Sequence, residues 1–317
     1  MKENNFPSGS YIIITPAKNE EKSLPGLIQS IVRQTIKPKL WVIVDDGSTD
    51  GTPEIIEDAV KKHEWIQTIR LKEGERDLGV HYSQVCIMGF DFAMEYCKRC
   101  KIEYDYIGLI DADIILEETY FERLIKEFEK NRNFGIVSGE VWNIIDEKTK
   151  RSKQRSDLPC GGARLWRRRC FEETGGYIVT YAPDSISNVK AKLKGWETRS
   201  LEGIKVISTR ALGSAEGYWK EFKGFGIYSY YVGFNLFYAI LKGMRYLFER
   251  PYYIGLAFLY GYFSCLILGK KRIKDGEIRH YYQHIRPREI NQYYLDVIKN
   301  KLKRAKEGFK SSQFKIK

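Results

Sequence analysis

The sequence predicts an α/β protein with a doubly wound, mostly parallel sheet and a helical C-terminal extension. Short, uniformly apolar runs at residues 11–14, 40–44 and 106–110 have the composition of strands that are covered on both faces. Stretches with helical periodicity alternate with these runs, which is typical of parallel strands joined by crossover helices. From about residue 216 the chain is aromatic-rich, and residues 270–317 are strongly basic.

Helices and a further strand are predicted between these runs. Apolar residues follow the first strand at helical spacing, at Leu24, Leu27, Ile28, Ile31 and Val32. The sequence Thr52-Pro53-Glu54 supplies an N-cap, a proline and an early acid, so a second helix is expected to begin there. A third strand is predicted near residues 66–71 and a long helix near residues 80–98.

Length and charge limit the possible functions. The 317 residues, 43% of them hydrophobic, support one large domain with an appendage, and we predict a division into residues 1–215 and 216–317. The formal net charge is +12, but residues 270–317 carry 15 basic and 5 acidic side chains, a net +10. The rest therefore carries only about +2 (12 − 10). A nearly neutral main domain argues against a nucleic-acid groove, so no nucleic-acid partner is expected.

The C-terminal region has the composition of a membrane-associated segment. Residues 251–269 contain no charged residue, and Lys270-Lys271-Arg272 follows directly. A transmembrane helix needs about 20 apolar residues, and the tyrosines of this segment suit the membrane interface. Helices that lie in an anionic membrane surface are favoured over a true span, while a buried hairpin or a homo-oligomer contact remains open. Because no apolar leader precedes the six cysteines, the expected location is the cytoplasmic face of the cell membrane.

Three polar clusters directly follow predicted strands, at Thr15-Pro16-Ala17-Lys18-Asn19-Glu20, at Asp45-Asp46-Gly47-Ser48 and at Asp111-Ala112-Asp113. Two carboxylates at i and i+2 after a buried strand can share one hard cation such as Mg²⁺ or Mn²⁺. A carboxylate after the second strand can accept hydrogen bonds from a nucleobase or a ribose. The alternative for each cluster is a solvated turn or a helix cap. Because ligands of parallel sheets bind beyond the carboxyl ends of the strands, the clusters are expected in one crevice.

Together these segments resemble glycosyltransferase family 2, and more narrowly its membrane-associated members that build surface glycans. The order and spacing match over roughly residues 10–215. The resemblance implies the A-type glycosyltransferase fold, a UDP- or GDP-linked sugar donor, a Mg²⁺ or Mn²⁺ ion and inversion at the anomeric carbon. By similarity, the nucleoside pocket would be lined by Pro16, Ala17, Glu20 and Asp46. Asp111 would contact the ribose or a metal-bound water, and Asp113 would bind the metal.

The resemblance also extends to the sugar and the acceptor. Cys160-Gly161-Gly162-Ala163-Arg164 resembles the small-residue loop beside the sugar, which places Gly162 in the donor site, and Gly79 falls in the segment that usually closes over the base and ribose. In Ala182-Pro183-Asp184-Ser185 a proline replaces the family's Glu, and Asp184 remains as the catalytic base or as a helix N-cap. Arg210 would neutralise the diphosphate. The His that often stands two residues before it is replaced by Ser208, so the resemblance supplies no third protein ligand for the metal.

The expected function is the transfer of a single sugar to a hydroxyl or phosphate of a glycan or polyprenyl-linked acceptor. The Gln-x-x-Arg-Trp signature of processive synthases is absent from the sequence, which favours single addition. One alternative is a nucleotidyltransferase, which would require a glycine-rich loop that residues 15–19 do not supply. The other is a catalytically inactive, basic protein that binds membranes or nucleic acid. Metal-dependent turnover of a nucleotide sugar would exclude the inactive alternative.

Overall fold

The computed structural model describes residues 9–72, 80–145, 148–152, 155–210, 217–293, 295–296 and 299. The chain divides into two compact units, Met1–Ala215 and Glu216–Lys317, which we describe separately. Gly79 lies outside the described residues, so its place beside the nucleoside remains a prediction. The end of the basic tail, residues 300–317, lies outside them as well.

One sheet of nine strands forms the centre of the first unit within the described residues. The strands are β1 (Tyr11–Ala17), β2 (Leu40–Asp45), β3 (Ile66–Arg70), β4 (Tyr106–Ile110), β5 (Ile114–Leu116), β6 (Phe134–Ile145), β7 (Lys148–Arg151), β8 (Ala163–Arg167) and β9 (Glu197–Ser208). Their order is β3-β2-β1-β4-β8-β6-β9-β5, and β7 pairs with β6. The first four of this order are parallel, β8 is antiparallel to both of its neighbours, and β9 is parallel to β6.

Helices cover both faces of this sheet. They are α1 (Leu24–Val32), α2 (Thr52–Lys62), α3 (Val80–Cys100), α4 (Tyr120–Lys130), α5 (Arg168–Glu173) and α6 (Pro183–Leu193). Successive strand residues point to opposite faces. Ile13 therefore belongs to a buried core with Leu27 of α1, whereas Ile12 and Ile14 belong to a second core with Phe90 of α3. The predicted mixed α/β fold with a mostly parallel sheet is confirmed.

Two predicted N-caps were wrong, and both corrections affect the site. Helix α2 already includes Thr52, and its N-cap is Gly51. The Thr52 hydroxyl instead accepts a hydrogen bond of 2.7 Å from the backbone N–H of Glu20. Helix α6 begins at Pro183, so Asp184 lies inside the first turn and is not the N-cap. Its carboxylate is therefore available for another partner.

The second unit is helical, as predicted for the C-terminal extension. It contains α7 (Tyr218–Tyr231), α8 (Leu236–Tyr246), α9 (Ile254–Ile267), α10 (Gly276–His280) and a π-helical turn at Tyr281–Ile285. Glycines let α7 and α9 approach closely, since a Cβ on Gly226 would lie 2.8 Å from the backbone nitrogen of Tyr262. Among the described residues, the helices are too short or too polar for any of them to cross a lipid bilayer.

Candidate functional site

The three polar clusters converge at the carboxyl ends of β1, β2 and β4, as expected from the parallel topology. They line one open pocket at this edge of the sheet. Seven of the predicted residues line it, namely Pro16, Ala17, Glu20, Asp46, Asp111, Asp113 and Arg210. Lys18 and Ala112, which belong to the predicted clusters, line it as well, and Tyr82 and Val85 are lining residues that the sequence analysis missed.

Asp111 is fixed at the base of the pocket by two hydrogen bonds. The Tyr82 hydroxyl donates to Oδ1 of Asp111 at 2.7 Å, and the backbone N–H of Asp111 donates to the Gly162 carbonyl at 2.8 Å. Burial, and then the negative charge of Asp113, raises the pKa of the Asp111 carboxyl to about 7. A cation bound between Asp111 and Asp113 would offset this repulsion and stabilise the ionised form of Asp111.

The side chains of Asp111 and of Asp184, the predicted base, both pack against the backbone of Gly161-Gly162. A Cβ on Gly162 would lie 2.7 Å from Cγ of Asp111, and a Cβ on Gly161 would lie 2.8 Å from Cγ of Asp184. Real Cβ atoms essentially never come this close. The loop therefore accepts both carboxylates against its backbone only because both positions are glycine. Asp184 reaches the site across this loop and is not among the lining residues of the pocket.

Asp184 is held by its neighbours in a defined orientation. The Tyr177 hydroxyl donates to Oδ1 at 2.7 Å, and the buried Arg164 guanidinium lies 4.0 Å from the same oxygen. Burial, and then the charge of Asp184, raises the pKa of Tyr177 well above its usual value, so this hydroxyl keeps its proton and remains a donor. Ala182 precedes the helix in the left-handed conformation, with φ 47°, an unusual backbone for a residue with a side chain.

Arg210 lies between two predicted site carboxylates. Its guanidinium donates to both oxygens of Glu20, at 2.6 and 2.7 Å, and its Nε lies 4.0 Å from Oδ2 of Asp113. Glu20 is only 5% exposed, so its charge requires such a partner. The Thr209 backbone N–H and hydroxyl both donate to the Asp113 carbonyl. Thr209, which directly follows β9, thus holds the backbone of Asp113 in place. Arg210 places a fixed positive charge in the pocket.

Asp46 is contacted by His81, which the sequence analysis missed, and by Lys18 of the first polar cluster. His81 Nε2 lies 2.9 and 3.0 Å from the two carboxylate oxygens. Lys18 Nζ donates to the Asp46 carbonyl at 2.8 Å and lies 3.4 Å from Oδ2. The only sequence signal for His81 and Tyr82 was their position at the start of a predicted helix, next to the segment that contains Gly79.

A comparison with known proteins gives the family. Residues 12–183, more than half of the chain, match the family model described as Glycosyl transferase family 2. The chain belongs to this family. A 4,4'-diaponeurosporenoate glycosyltransferase from Staphylococcus haemolyticus (strain JCSC1435) is 25% identical over 146 residues, which are 45% of this chain and 35% of that protein. The alignment thus covers about a third of that relative's length.

Solved structures support the fold of this family 2 chain. The mannosyltransferase PcManGT from Pyrobaculum calidifontis, in complex with GDP-Man and Mn²⁺, aligns with a TM-score of 0.51 and 18% identity, covering 80% of this chain and 70% of that one. S. aureus TarS 1-349 in complex with UDP aligns with a TM-score of 0.52 and 14% identity, covering 78% and 75%. At these identities the likeness shows the fold alone, and the predicted A-type glycosyltransferase fold is confirmed.

The carboxylates of this family 2 chain have the chemistry that a hard divalent cation requires. Asp111 and Asp113 offer oxygen ligands, which Mg²⁺ and Mn²⁺ prefer. In the part of the chain that the structure describes, no three or more His, Cys, Asp or Glu side chains converge on a complete metal site. A cation held here would therefore take further ligands from a bound diphosphate or from water, as Mg²⁺ commonly does.

Proposed function

We propose that this chain transfers one sugar from a nucleotide-diphosphate sugar to an acceptor, with inversion at the anomeric carbon. The observation that carries this proposal is the Gly161-Gly162 loop, which brings Asp184 and Asp111 together beside a pocket lined by the family's donor motifs. Membership of family 2 supports the transferase over a nucleotidyltransferase. UDP in TarS and GDP-Man in PcManGT support a UDP- or GDP-linked donor.

The donor would bind with its nucleoside against Pro16 and Ala17. The Asp46 carboxylate would accept hydrogen bonds from the base or ribose, and it has lone pairs to spare beside its contact with His81. Asp111 would bind the ribose or a water molecule. Gly162 lets the loop backbone lie directly against Asp111, and the sugar would bind beside this loop.

Asp113, with Asp111 beside it, would hold Mg²⁺ or Mn²⁺. The cation would supply positive charge to the leaving diphosphate when bound. Arg210 adds a second positive charge that is fixed in place by Glu20. A preorganised charge of this kind stabilises a transition state without the cost of reorganising solvent.

Asp184 would act as the catalytic base and take the proton from the attacking acceptor oxygen. Tyr177 orients its carboxylate, and Arg164 compensates its negative charge. The attack would come from the side opposite the leaving group, which gives inversion. The acceptor we propose is a hydroxyl or phosphate of a glycan or polyprenyl-linked molecule, extended by one sugar.

The test is transfer by the purified chain with a panel of UDP- and GDP-sugars and Mn²⁺ or Mg²⁺. Asp184→Asn should lower the turnover number by about 10²- to 10⁴-fold and leave nucleotide affinity unchanged. Asp58→Asn, the same change at an exposed position of α2, is the matched control and should behave as the wild type. Near-full transfer by Asp184→Asn would show that the base assignment is wrong. Tight nucleotide binding without turnover of any sugar would favour the inactive alternative.

A further inference from the structure

We propose that the second unit binds an anionic lipid membrane through an apolar face on α8 and α9. The face comprises six exposed large side chains: Phe237, Leu241 and Met244 on α8, Phe248 two residues beyond its end, and Leu256 and Ile267 on α9. Phe248 and Ile267 are more than four-fifths exposed, at 83% and 82%. Phe237, Leu241 and Met244 are spaced four and three residues apart, so they share one side of α8. Exposed apolar side chains clustered on one side of a helix are typical of an interaction site. This proposal goes beyond the proposed function and does not depend on it.

The apolar face points away from the contacts that hold the unit together. On α8, a Cβ on Gly243 would lie 2.5 Å from Cγ of Leu259, so this side of α8 packs tightly against α9. Leu241 precedes Gly243 by two residues, which is about 200° around the helix. On α9, the backbone at Phe258 packs against α7, and Leu256 again precedes it by two residues. Helix geometry therefore turns the apolar side chains outward on both helices.

The lengths of the two helices decide how they would lie in a membrane. Helix α8 has 11 residues and α9 has 14. At 1.5 Å per residue they are about 17 and 21 Å long, shorter than the hydrocarbon core of about 30 Å. They would therefore lie in the plane of the interface and not cross it. Trp219 supports this position, because its ring lies 6.4 and 6.2 Å from those of Tyr253 and Tyr260, and Trp and Tyr favour this interface.

The charge near this face selects anionic lipid over a second copy of the chain. Lys270, Lys271 and Arg272 follow α9 directly and are exposed. They begin the segment 270–317, which carries a net +10. Such a segment is attracted to anionic headgroups, as on the cytoplasmic leaflet, but would repel the same segment of another copy. The occupant of the apolar face is therefore a lipid surface, and we place the protein at the cytoplasmic side of the membrane.

The experiment is co-sedimentation of the full chain with vesicles of phosphatidylcholine, alone or mixed with phosphatidylglycerol. We expect binding to the mixed vesicles that weakens as salt is added. Phe248→Glu and Leu256→Glu should each lower the ratio of bound to free protein at least about tenfold. Met88→Glu, which puts the same charge at an exposed apolar position of α3, is the matched control and should bind as the wild type.

A second variant tests the electrostatic part. The double change Lys270→Glu and Lys271→Glu should lower binding to the mixed vesicles and leave any binding to phosphatidylcholine alone unchanged. Thermal unfolding of each variant checks that it is folded. The proposal is overturned if the wild type does not bind the mixed vesicles, or if Phe248→Glu and Leu256→Glu bind as the wild type does. The proposal is also overturned if neither the wild type nor Leu256→Glu binds vesicles and the wild type is a dimer that Leu256→Glu converts to a monomer. That result would make the apolar face a contact between two copies of the chain.

Discussion

Gly162→Ala adds one methyl group at a point where the structure leaves no room for it. The new Cβ would meet Oδ2 of Asp111 and would lie 2.7 Å from its Cγ, and ordinary contact begins at 3.4 Å, so the carboxylate must retreat by at least 0.7 Å (3.4 − 2.7). The φ of Gly162 is outside the left-handed region, so alanine adopts the same backbone without strain. Since a misplacement of about 1 Å can cost about 10²-fold in rate, we expect kcat/KM to fall by about 10- to 100-fold and metal-dependent nucleotide binding to weaken.

The assay is release of nucleoside diphosphate from the donor, with nucleotide affinity from calorimetry and stability from urea unfolding. Gly26→Ala is the control, because its Cβ would meet Ile115 at an ordinary 3.6 Å. A folded Gly162→Ala variant that keeps kcat/KM and nucleotide affinity within about twofold of the wild type would refute the reasoning.

The neighbouring change, Gly161→Ala, should separate the two halves of the site. Its Cβ would lie 2.8 Å from Cγ of Asp184, so it displaces the proposed base and not Asp111. We expect kcat to fall while nucleotide affinity is retained. If both glycine variants weaken nucleotide binding equally, the separate roles of Asp184 and Asp111 are wrong.

Two further predictions concern stability. Arg210→Gln should lower the free energy of unfolding by about 2 kcal/mol, because it removes the guanidinium that pairs with the buried Glu20 carboxylate. If adding Glu20→Gln to this variant restores none of the loss in urea unfolding, the pair is not the cause. Burial raises the pKa of Asp157, but hydrogen bonds from Arg155 and Lys192 outweigh it and hold the pKa at about 2, below its usual 3.8. This depressed pKa stabilises the fold above pH 3.8, and the contribution is lost as the pH falls through 2. Asp157→Asn should therefore lower the unfolding free energy at pH 7 by about 1–2 kcal/mol, allowing for partial solvent exposure, and urea titrations that show the same gap at pH 2 would contradict this.

The sequence predicted the parallel half of the sheet because those strands are covered on both faces. β1, β2 and β4 each contain a run of buried apolar residues, and such runs are easily recognised. β6 was not predicted, since its pairing with β9 shifts register between Phe134 and Ile136 and again between Ser138 and Glu140. Register shifts of this kind break the alternation on which a strand prediction depends.

The site was predictable where its residues follow a strand or stand in a segment that resembles the family, and not where single side chains come from elsewhere in the chain. Tyr82 and Tyr177 each donate a hydrogen bond to a carboxylate, but in sequence they look like ordinary aromatic packing residues. The pairing of Arg210 with Glu20 joins residues 190 positions apart. Contacts of this kind depend on how the chain folds back, and no local pattern encodes them.

The most direct test is a thermal-shift panel of UDP, GDP, dTDP and CDP, with and without Mn²⁺, on the wild type and on Asp113→Asn. Ligand at 100 times its Kd adds about 2.7 kcal/mol to the stability of the folded state, which a thermal shift detects readily. We predict a Mn²⁺-dependent shift with UDP or GDP that Asp113→Asn abolishes. No shift with any nucleotide in well-folded wild-type protein, or a shift that survives Asp113→Asn unchanged, would contradict the metal-dependent nucleotide site.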